Sequence, residues 1–526
     1  MSRFIVFFIV CLMFAIGILL CIHLHHGFFF TGVLGLLVLV GLYDHFISSS
    51  NILRLYPISG HLRHIFESIR PEIQQYFVES NSNGQPYERE LRSLVYQRSK
   101  NAVDTRPFGT ERNIKEQNFT FTQHSLHVVK PSKEADHVVF GNEQCQQPYK
   151  ASVINISAMS YGALSSKAIR TLNRGAKLAG MAHNTGEGGL SSHHLKEGGD
   201  LIWQLGTAYF GTRDKEGFFD SNTFKKKSQL DAVKMIEIKL SQGAKPSHGG
   251  VLPAAKISRE IAEIRGVKQG EDCISPPTHT AFSTPIEMMH FVQHLRELSN
   301  GKPIGFKLCL GYRRQFMSIC KAMLETQIYP DFITVDGAEG GTGAAPVEYT
   351  NYLGIPGDEA IAFVHNALVG LNIRKHIKII SSAKITSGFD IIRRKALGAD
   401  TCNLARPMLF AIGCVQSVAC NTNKCPTGIA TNKRSRAYAI KLKKKSQYVA
   451  NFHNNTINSY REMMGAMGIK HPDELNAHLI QIRLPDGRST TCEKFYHYLE
   501  AGNLLSDNIH PFYQEFWEKA RTDSFA

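Results

Sequence analysis

The 526-residue sequence predicts an α/β fold: a (β/α)8 TIM barrel with an N-terminal two-helix membrane hairpin and helical N- and C-terminal extensions. Three observations carry this prediction. Two uncharged apolar runs open the chain. From about residue 150, eight short apolar runs alternate with helical stretches, as a parallel barrel requires. Glycine-rich or polar segments then follow run after run, where a barrel builds its binding loops. The division read from these features is a membrane anchor over 1–46, a helical collar over 47–104, a barrel over 105–445 and a helical extension over 446–526.

Residues 4–21 form an uncharged run of 18 residues, and 28–43 form one of 16. A helix needs about 20 apolar residues to cross a bilayer. Between the runs lies a short turn with His23, His25 and His26. A cleaved signal peptide is the alternative, but the second run follows at once and no small-x-small site separates the two. The turn carries no Lys or Arg, whereas Arg3 precedes the hairpin and Arg54, Arg63 and Arg70 follow it. The positive-inside bias then puts both ends in the cytoplasm, with the catalytic domain on that face of the inner membrane. A net charge of +15 suits an anionic leaflet. It does not suit nucleic acid: the basic clusters at 225–227 and 433–445 have only Phe224 and Tyr438 beside them, not a series of stacking aromatics.

In the collar, Leu62, Ile65, Phe66, Ile69, Ile73 and Phe77 recur at helical spacing. A polar break over 81–86 precedes a second helix over 87–100. Candidate barrel strands are 153–157, 181–184, 202–205, 235–239, 303–308, 332–335, 377–381 and 401–404. Helices are expected over 167–179, 285–298 and 391–397. An open doubly wound sheet has the same periodicity. The barrel is favoured by the loops 158–162, 185–189, 243–250, 337–343 and 382–388, each just after a strand.

The strongest local chemistry is Cys414-x5-Cys420-x4-Cys425-Pro426. Eleven cysteines are an odd count for a disulfide framework, so these read as reduced thiols. Buried small hydrophobes or a zinc site are the alternatives; zinc needs four ligands, with His365 or Cys402 reaching in from afar. Three thiolates suit an iron–sulfur cluster, and three ligands alone suit the three-iron, four-sulfide form. Lys307 lies inside the apolar run PIGFKLCL, so it either meets a ligand at the barrel mouth or pairs with a carboxylate. The loop from Ser381 to Gly388 and the segment Ala405-Arg406-Pro407 follow strands seven and eight, a common phosphate site in barrels.

The runs NISAMSYGALS (155–165), NTGEGG (184–189), SQGAKPSHGGVLP (241–253), ISPPTH (274–279), DGAEGGTGAAP (336–346) and the cysteine segment together resemble the synthase domain of glutamate synthase. They occur in the family's order over about 105–440, and are most similar to its stand-alone, membrane-anchored bacterial proteins. The resemblance implies an oxidoreductase with FMN in the barrel and a 3Fe-4S cluster on Cys414, Cys420 and Cys425. It implies reductive amination of 2-oxoglutarate, or a related oxo acid, to glutamate. By position, Ser157, Ala158 and Met159 fall on the flavin ring and Lys307 is a flavin ligand. Ser382, Ala383, Lys384 and Arg406 fall near the phosphate. Glu187, Lys245 and Arg265 match the 2-oxoglutarate contacts.

Four departures accompany the match: Leu190, His248 and Val251 replace polar or acidic residues of the family pattern, and Ala383 replaces a glycine. No glutaminase cysteine and no GxGxxG fingerprint occurs, so electrons are expected from a separate donor such as ferredoxin or an NAD(P)H-oxidising subunit. Leu190, His248 and Val251 lean towards two alternatives. One is a membrane-associated electron-transfer flavoprotein; the other is an FMN-barrel oxidoreductase acting on another oxo or hydroxy acid.

Overall fold

The computed structural model describes residues 2–526; Met1, the first residue of the predicted anchor, lies outside them. The chain forms two compact units that divide after Gly84. In the first, the apolar runs become helices α1 (Ile5–Leu24) and α2 (Phe28–Phe46), which pack on each other. Both are long and apolar enough to cross a membrane. The chain reverses between them through His25 and Gly27, both in the left-handed region. Further along, α3 (His61–Ile73) runs on into a π-helical turn, Gln74–Val78, so the spacing from Leu62 to Phe77 is realised as helix.

The second unit contains α4 (Arg89–Ser99), so the collar read over 47–104 is shared between the units. Eight parallel strands follow: β1 (Ile154–Ile156), β2 (His183–Asn184), β3 (Leu201–Leu205), β4 (Val233–Lys239), β5 (Ile304–Leu308), β6 (Phe332–Asp336), β7 (Lys378–Ser382) and β8 (Thr401–Leu404). Each pairs with its neighbour in sequence, and β8 closes on β1. All eight fall on predicted runs. The open-sheet alternative is excluded by the β8–β1 pairing.

Alternation along the strands builds the barrel interior in layers, because inward side chains recur every second residue. The lowest layer is apolar: Ala182, Ile202, Met235, Phe332 and Ile380 form one cluster with Phe140 from a hairpin beneath. Gly305 of β5 belongs to this level; a Cβ there would lie 2.5 Å from the Phe332 ring. Two residues higher, the layer is polar. Glu237, with no exposed surface, accepts hydrogen bonds from Asn184 Nδ2 (2.8 Å), Gln204 Nε2 (2.6 Å) and Thr334 Oγ1 (2.5 Å). At the strands' C-terminal ends stand Lys239 and Asp336, four residues above Met235 and Phe332, with Lys307 and Ser382, two residues above Gly305 and Ile380. A dry plug thus supports a hydrogen-bonded floor, and the floor carries the charged mouth.

Around the barrel, α5 (Ser166–Ala179) and α6 (Arg406–Ile412) follow β1 and β8. The 25-residue α7 (Leu442–Ala466) packs on α4, α5 and α6, and it crosses the expected domain boundary at 445. Beyond it the extension is not helical throughout. Ile480–Arg483 pairs with Thr120–Thr122 and with Ser489–Thr491, tying the C-terminal part to the segment that precedes the barrel. These strands are too short to stand out by periodicity; the partner strand some 360 residues earlier supplies the pairing.

Candidate active site

Two adjoining cavities open at the mouth and share Ala158, Gln242, Gly341, Ala405 and Arg406 as a common wall. The larger is lined by all three predicted substrate residues, Glu187, Lys245 and Arg265, together with Lys239 and Lys256. Glu187 follows β2, and its carboxylate pairs with Lys239 of β4 at 2.9 Å. Gly250 allows this approach, since a Cβ there would lie 2.5 Å from Glu187 Oε1. Burial pushes the Glu187 carboxyl up, but Lys239, Lys245 and Arg265 more than offset that and hold it below the usual carboxylate range.

The cations outnumber the carboxylate. Lys245 is 2% exposed, and its ammonium makes no hydrogen bond or close ion pair among the described residues. Burial pushes its pKa down to about 8, with Glu187 opposing. Arg265 is 5% exposed, which rules out a solvated helix position. Its guanidinium donates to the Tyr161 carbonyl (3.3 Å), stacks over Phe210 (5.0 Å) and faces no carboxylate within ion-pair distance among the described residues; Nε is left without a partner. Of the loop departures, Val251 lines this cavity, beside Leu164 and Leu252; Leu190 and His248 do not. Met159 also lines it.

The smaller cavity is lined by seven of the eight predicted cofactor residues, Ser157, Lys307, Ser382, Ala383 and Lys384 together with Ala158 and Arg406 of the shared wall. Ser157 Oγ and Ser382 Oγ lie 3.4 Å apart. Lys307 meets Asp336 at 3.1 Å, so it pairs with a carboxylate, and it also lines the cavity. Burial depresses its ammonium, but Asp336 and Glu237 outweigh burial and raise it. Asn403 adds a buried acceptor, Oδ1, with no partner among the described residues.

The loop after β7 keeps a glycine-like path in spite of Ala383. Ala383 holds φ +100° and Lys384 φ +45°. Successive backbone N–H groups on such a path form a concavity that binds anions. A side chain at this φ costs about 1–3 kcal/mol, against roughly 0.5–1 kcal/mol for the extra chain entropy of glycine. Ala383→Gly is therefore expected to stabilise the protein by about 1 kcal/mol. A higher urea midpoint with an unchanged slope is the expected reading, and an unchanged midpoint would show the loop to be unstrained.

Cys414, Cys420 and Cys425 lie on one segment after α6, and Cys420 also lines the larger cavity. Burial pushes the Cys414 thiol up, and the neighbouring Cys420 and Cys425 add to the shift. Burial also raises Cys425, but the Thr427 hydroxyl and the backbone N–H groups of Ala430, Thr427 and Ile429 hold it below its ordinary value. Among the described residues no three His, Cys, Asp or Glu side chains are close enough to hold a single metal ion. Neither His365 nor Cys402 joins the three cysteines in such a group. Arg406 points at this segment, its Nη1 3.9 Å from Cys420 Sγ and its Nη2 on the Thr342 carbonyl (2.8 Å). Lys256 donates to the carbonyls of Ala163 (2.6 Å) and Cys420 (3.2 Å), bridging the first strand's loop and the cysteine segment.

Sequence reasoning passed over Lys239, Lys256, Gln242, Asp336 and Asn403, all of which line the cavities. Lys239 was findable, since it ends the apolar run MIEIK as Lys307 interrupts PIGFKLCL. Lys256 sits on a single 3-10 turn and carries no periodic signal.

A family model described as a conserved region in glutamate synthase matches residues 89–470. The glutamate synthase large subunit-like protein YerD of Bacillus subtilis is 34% identical over 487 residues, which is 85% of this chain and 92% of that one. An archaeal glutamate synthase (NADPH) of Archaeoglobus fulgidus is 32% identical over 347 residues, 66% of this chain and 63% of the relative. An archaeal-type glutamate synthase (NADPH) of Thermotoga maritima is 31% identical over 323 residues, 61% of this chain and 60% of the relative. The chain thus spans rather less than two thirds of these last two relatives.

Proposed function

The chain belongs to the glutamate synthase family, and from that premise we propose that it is a membrane-anchored FMN and iron–sulfur oxidoreductase that reductively aminates 2-oxoglutarate to glutamate. The observation that carries the substrate class is the pair Lys245 and Arg265, two buried cations with no close carboxylate partner in one cavity. Burying unpaired charge is costly, so such a pair calls for an anionic ligand, and a dicarboxylate satisfies both. Glu187, kept ionised by its lysines, accepts hydrogen bonds from the substrate's nitrogen.

Features of the smaller cavity support the flavin, and the spacing Cys414-x5-Cys420-x4-Cys425 supports the cluster. Asn403 Oδ1 is an orphaned acceptor in the smaller cavity, and the positive-φ turn at Ala383 and Lys384 is of the kind whose N–H groups bind an anion such as a phosphate. Ser157, Ala158, Met159 and Lys307 would hold the flavin ring, and Ser382, Ala383 and Lys384 its phosphate. Cys414, Cys420 and Cys425 would hold a 3Fe-4S cluster. A single ion needs every ligand atom about 2.3 Å from one point, whereas a cluster gives each thiolate its own iron. Arg406, predicted near the phosphate, also reaches Cys420 and so would stand between the two cofactors. When bound, FMN supplies hydride transfer and the cluster supplies electrons one at a time. The net reaction takes two electrons and two protons for each oxo acid and ammonium converted. The electrons come from a separate donor, a ferredoxin or an NAD(P)H-oxidising subunit, and the catalytic unit faces the cytoplasm.

Val251 favours a second reading. With Leu164 and Leu252 it makes an apolar stretch of wall in the substrate cavity, which suits an oxo acid bearing an apolar side chain. Anaerobic purification with flavin, iron and sulfide assays, followed by reoxidation of reduced enzyme with a panel of oxo acids plus ammonia, separates the two. Reoxidation by 2-oxoglutarate supports glutamate synthesis; its failure beside turnover of an apolar oxo acid transfers the site to the second reading.

The electrostatics add a pH test. Lys245 is charged below about pH 8 and loses its proton as pH rises through that value. Its contribution to anion binding is therefore present at pH 7 and lost on the alkaline side. The kcat/KM for the oxo acid should fall about tenfold across that limb, the worth of one charge-assisted contact. Lys245→Arg should move the limb upward, and a limb unmoved in that variant assigns it to another group.

A further inference from the structure

Helix α3 and the π turn after it leave an apolar face uncovered. Leu62, Ile65, Phe66, Ile69, Ile73 and Phe77 are all exposed, Phe66 by 60% and Phe77 by 85%. At helical spacing the six fall within an arc of about 120°. His64, Glu67 and Ser68 lie outside that arc. Arg63 and Arg70 stand just beyond one border, and Glu72 beyond the other. A stripe this continuous is not a surface that water leaves alone.

Its position within the first unit says what covers it. The apolar run of α2 ends at Tyr43, and the next residue, Asp44, is 1% exposed. The Asp44 carboxylate accepts the Ile58 N–H at 3.0 Å and meets His61 Nε2 at 2.9 Å. His45 Nδ1 lies 3.0 Å from the Arg54 carbonyl. Residues 47–60 therefore fold back on the end of α2, and His61, the first residue of α3, is pinned where the apolar run of α2 stops. If α1 and α2 span a bilayer, that level is its water boundary.

We propose that residues 61–78 form an interfacial helix lying in the headgroup region of the bilayer, with the face from Leu62 to Phe77 turned to the acyl chains. This deepens the membrane-anchor reading and rests on it. The geometry matches helices that lie on membranes rather than cross them, with an apolar arc of this width and a polar opposite face. At 1.5 Å per residue the segment runs about 27 Å along the surface. Arg63 and Arg70, at the arc's border, are placed to extend to lipid phosphates while their stems stay among the chains.

The test uses the full chain reconstituted in liposomes, with lipids brominated on the acyl carbons nearest the headgroup as quencher. Phe66→Trp and Phe77→Trp report the apolar face, and His64→Trp reports the opposite one. The two natural tryptophans, Trp203 and Trp517, supply a constant background. Brominated lipid should quench the added emission of F66W and F77W about twofold or more, and that of H64W little. The paired reporters guard against one variant misfolding. Equal quenching on both faces, or none, overturns the interfacial helix, including the case in which a protein partner covers the face. A carbonate wash of the same liposomes tests the anchor separately. Protein retained without selective quenching sinks the interfacial helix alone; protein released without it sinks both; selective quenching supports the helix whatever the wash gives.

Discussion

Replacing Cys420 with serine is expected to strip the iron from the protein, from about three per chain to near zero, and to abolish the visible absorbance of the cluster. A hydroxyl is a poorer ligand than a thiolate for iron, and the segment offers no substitute sulfur, since Cys414 and Cys425 are already used. Flavin should stay, because the residues proposed for it lie mainly on the loops after β1 and β7 and on strands β5 and β7 themselves. Iron unchanged after anaerobic handling would remove the ligand assignment. The environment argues for the assignment: Cys425 is favoured as thiolate by three backbone N–H groups and a hydroxyl, and Arg406 points at Cys420 Sγ. A cysteine kept merely as a small buried hydrophobe needs none of these donors.

Arg265→Ala should weaken oxo-acid binding by roughly ten- to a hundredfold, since a charge-assisted contact contributes about 1.5–3 kcal/mol and each 1.4 kcal/mol is a factor of ten. The rise should appear in KM, with FMN content unchanged. Arg265 also holds the Tyr161 carbonyl and lies over Phe210, so part of any loss could come from loosening that loop. Arg265→Lys separates the two effects, because it keeps the charge while losing the fork. Partial recovery of KM with lysine supports a carboxylate contact. A KM that stays at the wild-type value in Arg265→Ala means that the substrate does not touch this residue.

The barrel was legible because its signal is local. Each strand is a short apolar run, and each run reached the structure in place, including the two-residue β2 inside 181–184. The cysteine spacing and the charged residue inside PIGFKLCL were legible for the same reason: they need no knowledge of distant residues. Lys256 and the pairing of Ile480–Arg483 with Thr120–Thr122 were not, because the first is recognised by carbonyls at 163 and 420 and the second by a strand at the other end of the chain. The three loop departures looked equivalent in sequence. Only the fold separates Val251, which meets the cavity, from Leu190 and His248, which do not line it.

By itself, the sequence determined the element order, the two apolar helices, the barrel class and the kinds of residue gathered on its loops. These follow from hydrophobic periodicity and glycine placement, which act over a few residues. Tertiary structure alone decided which charges are balanced. Closure brings the ends of β2, β4, β5 and β6 to one mouth, where Lys239 meets Glu187 and Lys307 meets Asp336. The same closure leaves Lys245 and Arg265 buried without close carboxylate partners. Whether a buried cation is paired depends on side chains some 30 to 50 residues away in sequence, and only their convergence in space distinguishes a structural ion pair from a site prepared for an anion.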